Sequence, residues 1–119
     1  MHVHGKELIK LKIKKMENIN KETWKKLIKE TPNVEILDVR TPGECLEGVQ
    51  PNAKQLNFLD GGGFMAGIEN LDKDKTYFVY CRSGARSEQA ASIMASKGYK
   101  TYNLLGGMMM WDGEVVSPV

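Results

Sequence analysis

Tyr77-Phe78-Val79-Tyr80-Cys81-Arg82-Ser83-Gly84-Ala85-Arg86-Ser87 runs from an apolar, β-type stretch into a cysteine and then, through small and basic residues, into a segment with helical spacing. The apolar run predicts the central strand, over 76–80, and the residues after the cysteine predict a turn that feeds a helix. Such a turn aims its backbone N–H groups into a concavity and adds the positive end of the helix dipole, so an anionic sulfur is favoured twice. Arg82 and Arg86 add fixed positive charge. The setting predicts a Cys81 thiol of lowered pKa, able to act as a nucleophile beneath a dianionic substrate. Gly84 suits the turn because a residue without a Cβ accepts positive φ.

Upstream, Val34-Glu35-Ile36-Leu37 reads as a short buried strand ending in Asp38-Val39-Arg40, polar residues at the carboxyl end of a strand, where α/β proteins build sites. Before it, Asn20 as N-cap, Glu22 in the first turn and Trp24, Leu27 and Ile28 at i, i+3, i+4 predict an amphipathic helix over about 21–30, closed by Pro32. Thr41-Pro42-Gly43-Glu44 starts a turn or short helix, and Gly48, Pro51 and Asn52 mark an irregular return to a third short strand near 53–56. Asp60-Gly61-Gly62-Gly63 reads as a flexible connection, or a flap near the site, ahead of a helix carrying Phe64, Met65, Ile68 and Leu71.

Downstream of the cysteine, Ala90, Ala91, Ile93, Met94 and Ala95 give a small-residue helix face that stops at Lys97-Gly98, with the glycine at C′. Thr101-Tyr102-Asn103-Leu104-Leu105 is the last strand; Gly106-Gly107 makes a tight turn, the methionines that follow are expected to pack, with one of them rimming the pocket as the alternative, and Trp111 is expected to anchor the core. Residues 8 to 13 alternate Leu8, Ile9, Lys10, Leu11, Lys12 and Ile13, which predicts an exposed edge strand protected by lysine, with a surface for an acidic partner as the alternative. Strands and helices thus alternate, and the expected fold is an α/β three-layer sandwich with a mostly parallel sheet of about five strands, plus the N-terminal edge strand. Ligands of such sheets bind beyond the carboxyl ends of the strands, where Asp38, Arg40 and Cys81 all fall.

The 119 residues suffice for one domain with a single core. A formal charge of +2 is too small to argue for nucleic acid, and no apolar run reaches membrane-spanning length. The N-terminal residues lack a signal-peptide pattern, so the expected location is cytoplasmic. Cys45 and Cys81 show no Cys-x-x-Cys spacing, so neither a metal site nor a disulfide framework is expected, and reduced thiols are the default. No cofactor is expected.

With these pieces assembled, the chain resembles the single-domain rhodanese family. The matching blocks are Leu37-Asp38-Val39-Arg40-Thr41-Pro42-Gly43-Glu44, then Gly48-Val49-Gln50-Pro51-Asn52-Ala53 with Asn57, then Val79 through Ser87, and Leu105-Gly106-Gly107 followed by Trp111. The resemblance implies a rhodanese-like domain over 17–119, preceded by an N-terminal extension over 1–16, and a thiosulfate sulfurtransferase working by double displacement through a Cys81 persulfide. It implies a small-molecule sulfur donor with cyanide or a thiol as acceptor; the sequence leaves the cellular partners open among a persulfide, glutathione, thioredoxin and a sulfur-relay protein. The loop Arg82, Ser83, Gly84, Ala85, Arg86 and Ser87 would hold the substrate and the anionic persulfide through its amides. Arg82 and Arg86 are candidates for docking a sulfonate, with an ion pair that braces the loop as the alternative for Arg86. Asp38, Arg40 and Glu44 are expected to support the loop by ion pair and hydrogen bond.

Two departures stand out. Val49 occupies a position where the family commonly has histidine, and Asn52 one where it commonly has glycine. Cys45 replaces a usual aromatic, as a small buried residue or as a thiol that resolves sulfur from Cys81. A cysteine-loop phosphatase or arsenate reductase is the nearest different class, but four residues separate Cys81 from Arg86 where the phosphatase signature has five. A non-enzymatic sulfur carrier or interaction module is the third.

Overall fold

The computed structural model describes residues 13–118. Five strands form one sheet: β1 (Met16–Ile19), β2 (Val34–Asp38), β3 (Lys54–Gln55), β4 (Thr76–Tyr80) and β5 (Lys100–Leu104). Their order is β1-β5-β4-β2-β3 and every neighbouring pair is parallel. The helices between them are α1 (Lys21–Glu30), α2 (Pro42–Cys45), α3 (Gly61–Glu69) and α4 (Ala85–Ser96), and a 3-10 turn, Gly107–Met109, follows β5.

Strand β4 is central, and all five of its residues are buried. Its alternate side chains divide the core into two layers, as a strand covered on both faces requires. Tyr77 and Val79 join Leu37, Phe64, Ile68, Ala90 and Met94 on the face covered by α3 and α4. Phe78 and Tyr80 join Trp24, Ile36 and Leu104 on the face covered by α1. Trp24, fully buried, stands edge-on to Phe78 with ring centroids 5.3 Å apart. The three-layer α/β sandwich expected from the sequence is therefore the fold.

Several local expectations are met and some are corrected. Helix α1 spans Lys21–Glu30, with the Asn20 side chain accepting from the Thr23 N–H. The edge strand beyond β5 is Met16–Ile19; of the strand expected over 8–13, residues 8 to 12 lie outside the described residues and Ile13 is not in a strand. The three glycines are not a loose connection but the first turn of α3, because the Asp60 carboxylate accepts from the Gly63 N–H while Phe64 and Ile68 bury the helix against the sheet. Trp111 is only partly buried, lying against the second core layer, and Trp24 is the anchor instead. Asn52 has φ +67°, which accounts for its replacing a glycine: asparagine tolerates the left-handed region.

Candidate active site

Cys81 follows directly on β4, at the carboxyl end of the central strand, and is fully buried. The chain reverses at once into α4, so the loop closes over the sulfur. Gly84 donates its N–H to Cys81 Sγ at 3.1 Å and Ser87 donates its N–H at 3.4 Å. The Ser87 hydroxyl also lies 3.3 Å from the sulfur and donates to it. Burial pushes the Cys81 thiol up, but the Ser87 hydroxyl and the amides of Ser87, Gly84 and Ser83 stabilise the thiolate more, and the net shift is downward. The Ala85 amide turns instead to the Ser83 hydroxyl, at 3.4 Å.

Two backbone features hold this geometry. Gly84 has φ +101°, and a Cβ there would stand 3.1 Å from the Leu104 carbonyl oxygen. Its carbonyl accepts from Asn103 Nδ2 at 3.2 Å, and Asn103 also donates to Asn18 Oδ1 at 2.8 Å, which ties the loop to edge strand β1. On the other side, the 3-10 turn presses on the loop: Met108 N–H donates to the Cys81 carbonyl and Met109 N–H to that of Arg82, both at 2.9 Å. Gly107 makes that approach possible, since a Cβ there would meet both carbonyl oxygens at 2.5 Å.

The expected supporting residues form two linked ion pairs. Arg40 and Asp38 are buried together, with Arg40 Nη2 2.6 Å from Asp38 Oδ2 and Nε 2.9 Å from Oδ1. Arg40 Nη2 also donates to the Gly48 carbonyl at 2.7 Å, which anchors the segment after α2. Burial disfavours the Arg40 charge, but the Asp38 carboxylate more than offsets it, so the guanidinium pKa is raised. Glu44, in α2, completes a capping box with Thr41 and receives both Arg86 guanidinium nitrogens, each at 2.8 Å. Arg86 holds the Glu44 carboxyl down at about 2.

Of the two loop arginines, then, Arg86 is engaged as a brace, while Arg82 is exposed. A pocket of about 190 Å³ is lined by Arg82, Arg40, Glu44, Glu47, Met108 and Met109. Cys45 is buried and free, and burial, with Asp38 nearby, pushes its thiol up to about 11. It is protonated at neutral pH, the opposite of the environment around Cys81. Val49, in the place where histidine is common, is buried and exchanges backbone hydrogen bonds with Val116.

Three side-chain roles are absent from the sequence-based reading, which names Ser87 only for its amide. The Ser87 hydroxyl is one; its place at the first turn of α4, six residues past the cysteine, is the signal that points to it. Asn103 is the second, a polar residue inside a buried strand. Gln50 is the third: it is buried, accepts from Trp24 Nε1 at 3.0 Å, and its N–H donates to the Tyr80 hydroxyl at 3.0 Å.

Comparison with known proteins places this geometry among relatives. A family model for the Rhodanese-like domain matches residues 20–114. The chain is 36% identical over 99 residues to YtwF of Bacillus subtilis, a protein named as a sulfurtransferase, covering 83% of this chain and 93% of that one. It is 34% identical over 97 residues to a protein named sulfurtransferase from Allochromatium vinosum, covering 81% and 88% respectively. Among solved structures, a rhodanese-like domain protein from Staphylococcus aureus superimposes with a TM-score of 0.75 at 28% identity, covering 87% of this chain and all of that one.

Proposed function

Because the chain belongs to the rhodanese-like domain family, with relatives named as sulfurtransferases, we propose that it moves sulfane sulfur through a persulfide on Cys81, from thiosulfate or a persulfide donor to cyanide or a thiol. The observation that carries this reading is the set of three hydrogen bonds on the Cys81 sulfur, two from amides and one from the Ser87 hydroxyl. They favour the thiolate before reaction and again when it leaves as the acceptor takes the outer sulfur.

The chemistry balances in two halves. The Cys81 thiolate attacks the outer sulfur of thiosulfate, the sulfur–sulfur bond of the donor breaks, and sulfite leaves with the electron pair. Cyanide or a thiolate then attacks the outer sulfur of the persulfide, and the Cys81 thiolate leaves. Arg82, exposed at the pocket, docks the sulfonate end of the donor, and the Asp38–Arg40 and Glu44–Arg86 pairs keep the loop in shape. In the cell the acceptor is a reduced thiol, of thioredoxin or of a sulfur-relay protein. A reducing compartment such as the cytoplasm keeps Cys81 available. No helix among the described residues is long and apolar enough to cross a membrane.

The phosphatase alternative is weakened by Arg86, whose two guanidinium nitrogens are turned onto Glu44 rather than free to grip a phosphate. The test is turnover of thiosulfate with cyanide, and with a small dithiol, by the wild type and Cys81→Ser, with p-nitrophenyl phosphate alongside. Thiocyanate from the wild type alone, with no phosphate-ester hydrolysis, is the expected result. Cys81-dependent p-nitrophenol release without sulfur transfer from any sulfane donor would replace this reading with the phosphatase one.

A further inference from the structure

Asn103 is a polar residue at a place in the sheet that suits an apolar one. It sits in β5, between β1 and β4, in register with Asn18 on one side and Val79 on the other, so the three side chains share the face that α4 covers. Asn103 is 1% exposed there, and its Oδ1 has no hydrogen-bond partner among the described residues. A buried amide left half-satisfied costs stability relative to an apolar side chain, and asparagine is depleted from strands. Stability alone does not account for it.

The bonds that the amide does make all lead to the cysteine loop. Asn103 Nδ2 donates to the Gly84 carbonyl at 3.2 Å and to Asn18 Oδ1 at 2.8 Å. Asn18 Nδ2 donates in turn to Glu88 Oε2 at 3.0 Å, and the Glu88 N–H donates to the Gly84 carbonyl at 3.1 Å. The four residues close a ring of hydrogen bonds that joins β1, β5, the first turn of α4 and the loop. Gly84 is the member that matters to the sulfur. It has φ +101°, a conformation that a glycine leaves as readily as it adopts, and its own N–H lies 3.1 Å from Cys81 Sγ. Ser87, which supplies the other two donors to the sulfur, belongs to the same first turn of α4. Fixing the Gly84 carbonyl from the helix and from the sheet at once keeps that turn and its donors over Cys81.

We propose that Asn103 is a positioning residue for Cys81, holding the Gly84 carbonyl so that the loop keeps its Gly84 and Ser87 hydrogen-bond donors aimed at the sulfur. The role rests on sulfur transfer through Cys81 and deepens it, because the same donors favour the thiolate that attacks and the thiolate that leaves. Asn103 acts through Gly84 and takes no part in making or breaking bonds. Its removal leaves nothing buried without a partner: Gly84 keeps the Glu88 N–H, and Asn18 is exposed to water. Reactivity and stability should therefore part company when the amide is lost.

The experiment follows iodoacetamide alkylation against pH in the wild type and Asn103→Val, read at Cys81 by peptide mass spectrometry so that Cys45 is not counted, with urea unfolding alongside. Valine suits a buried strand and offers Gly84 no donor. The alkylation midpoint is expected to rise by about half a pH unit to one unit, and persulfide formation from thiosulfate at neutral pH to slow about threefold to tenfold, the scale of one hydrogen bond. The urea midpoint should stay at or above that of the wild type. An unmoved alkylation profile overturns the positioning role. A loss of reactivity that comes with a lowered urea midpoint overturns it too, since Asn103 would then serve the fold alone. If Asn103→Val fails to fold, Asn18→Ala opens the same ring at an exposed position and should slow Cys81 alkylation at neutral pH by about twofold. No change in that variant overturns the role as well. Wild-type protein that forms no persulfide with any sulfane donor would overturn sulfur transfer instead, while the alkylation profiles still decide for Asn103.

Discussion

Cys81 and Ser87 are six positions apart in the chain, and the hydroxyl of one meets the sulfur of the other at 3.3 Å. A hydrogen bond to a charged group is worth about 1.5–3 kcal/mol, so Ser87→Ala should slow persulfide formation at neutral pH by roughly tenfold or more. The iodoacetamide alkylation profile of Cys81 should move to higher pH in the same variant, because a donor to the thiolate is lost while burial, which opposes ionisation, remains. An unmoved profile would remove Ser87 from the account. Arg82 makes a different prediction. Arg82→Ala should raise KM for thiosulfate by about fivefold, the effect of one exposed charge, and leave an uncharged persulfide donor nearly unaffected. Equal losses for both donors would argue against a docking role.

Between elements, the Glu44–Arg86 pair clamps α2 to the first turn of α4, and its pH dependence follows from the lowered carboxyl. The folded-state value of about 2 lies below the ordinary 4.5, so the stabilisation is fully present above pH 4.5 and is lost as pH falls toward 2. Urea unfolding midpoints should therefore drop more steeply across that window in the wild type than in Glu44→Gln. The 3-10 turn is the second brace. Gly107→Ala combines φ +53° with a Cβ 2.5 Å from two carbonyl oxygens, and neither backbone atom can swing away. A destabilisation of about 2 kcal/mol or more is expected by chemical denaturation, with a slower reacting Cys81. At this scale the sequence is most legible where one signal dominates: the Asn20 cap and the Trp24-Leu27-Ile28 spacing define α1, and the apolar run defines β4. Met16-Glu17-Asn18-Ile19 is not legible as a strand, since it has neither alternation nor β-branched residues in its middle and gains its conformation from pairing with β5. The glycines of α3 mislead for the converse reason, as their low helix propensity is overruled by the Asp60 cap and the burial of Phe64 and Ile68.

For the molecule as a whole, an all-parallel sheet brings the ends of β2 and β4 side by side, so Asp38 and Tyr80 pair in register one residue before the cysteine. Residues 42 positions apart thereby build one site, and the Glu44–Arg86 pair that follows is a consequence of topology rather than of local sequence. The blocks that carry chemistry can be read from the chain, since a strand that runs into a cysteine and a helix start has few other uses. The partners of each side chain cannot, because Arg86 could reach a substrate or Glu44 equally well until α2 is placed. The central claim, that Cys81 carries the sulfur, is tested most directly by intact-protein and peptide mass spectrometry after incubation with thiosulfate and removal of the donor. The account predicts the gain of a single sulfur atom, located on Cys81, discharged by cyanide and absent from Cys81→Ser. Sulfur found on Cys45, or a Cys45–Cys81 disulfide in place of the persulfide, would contradict it.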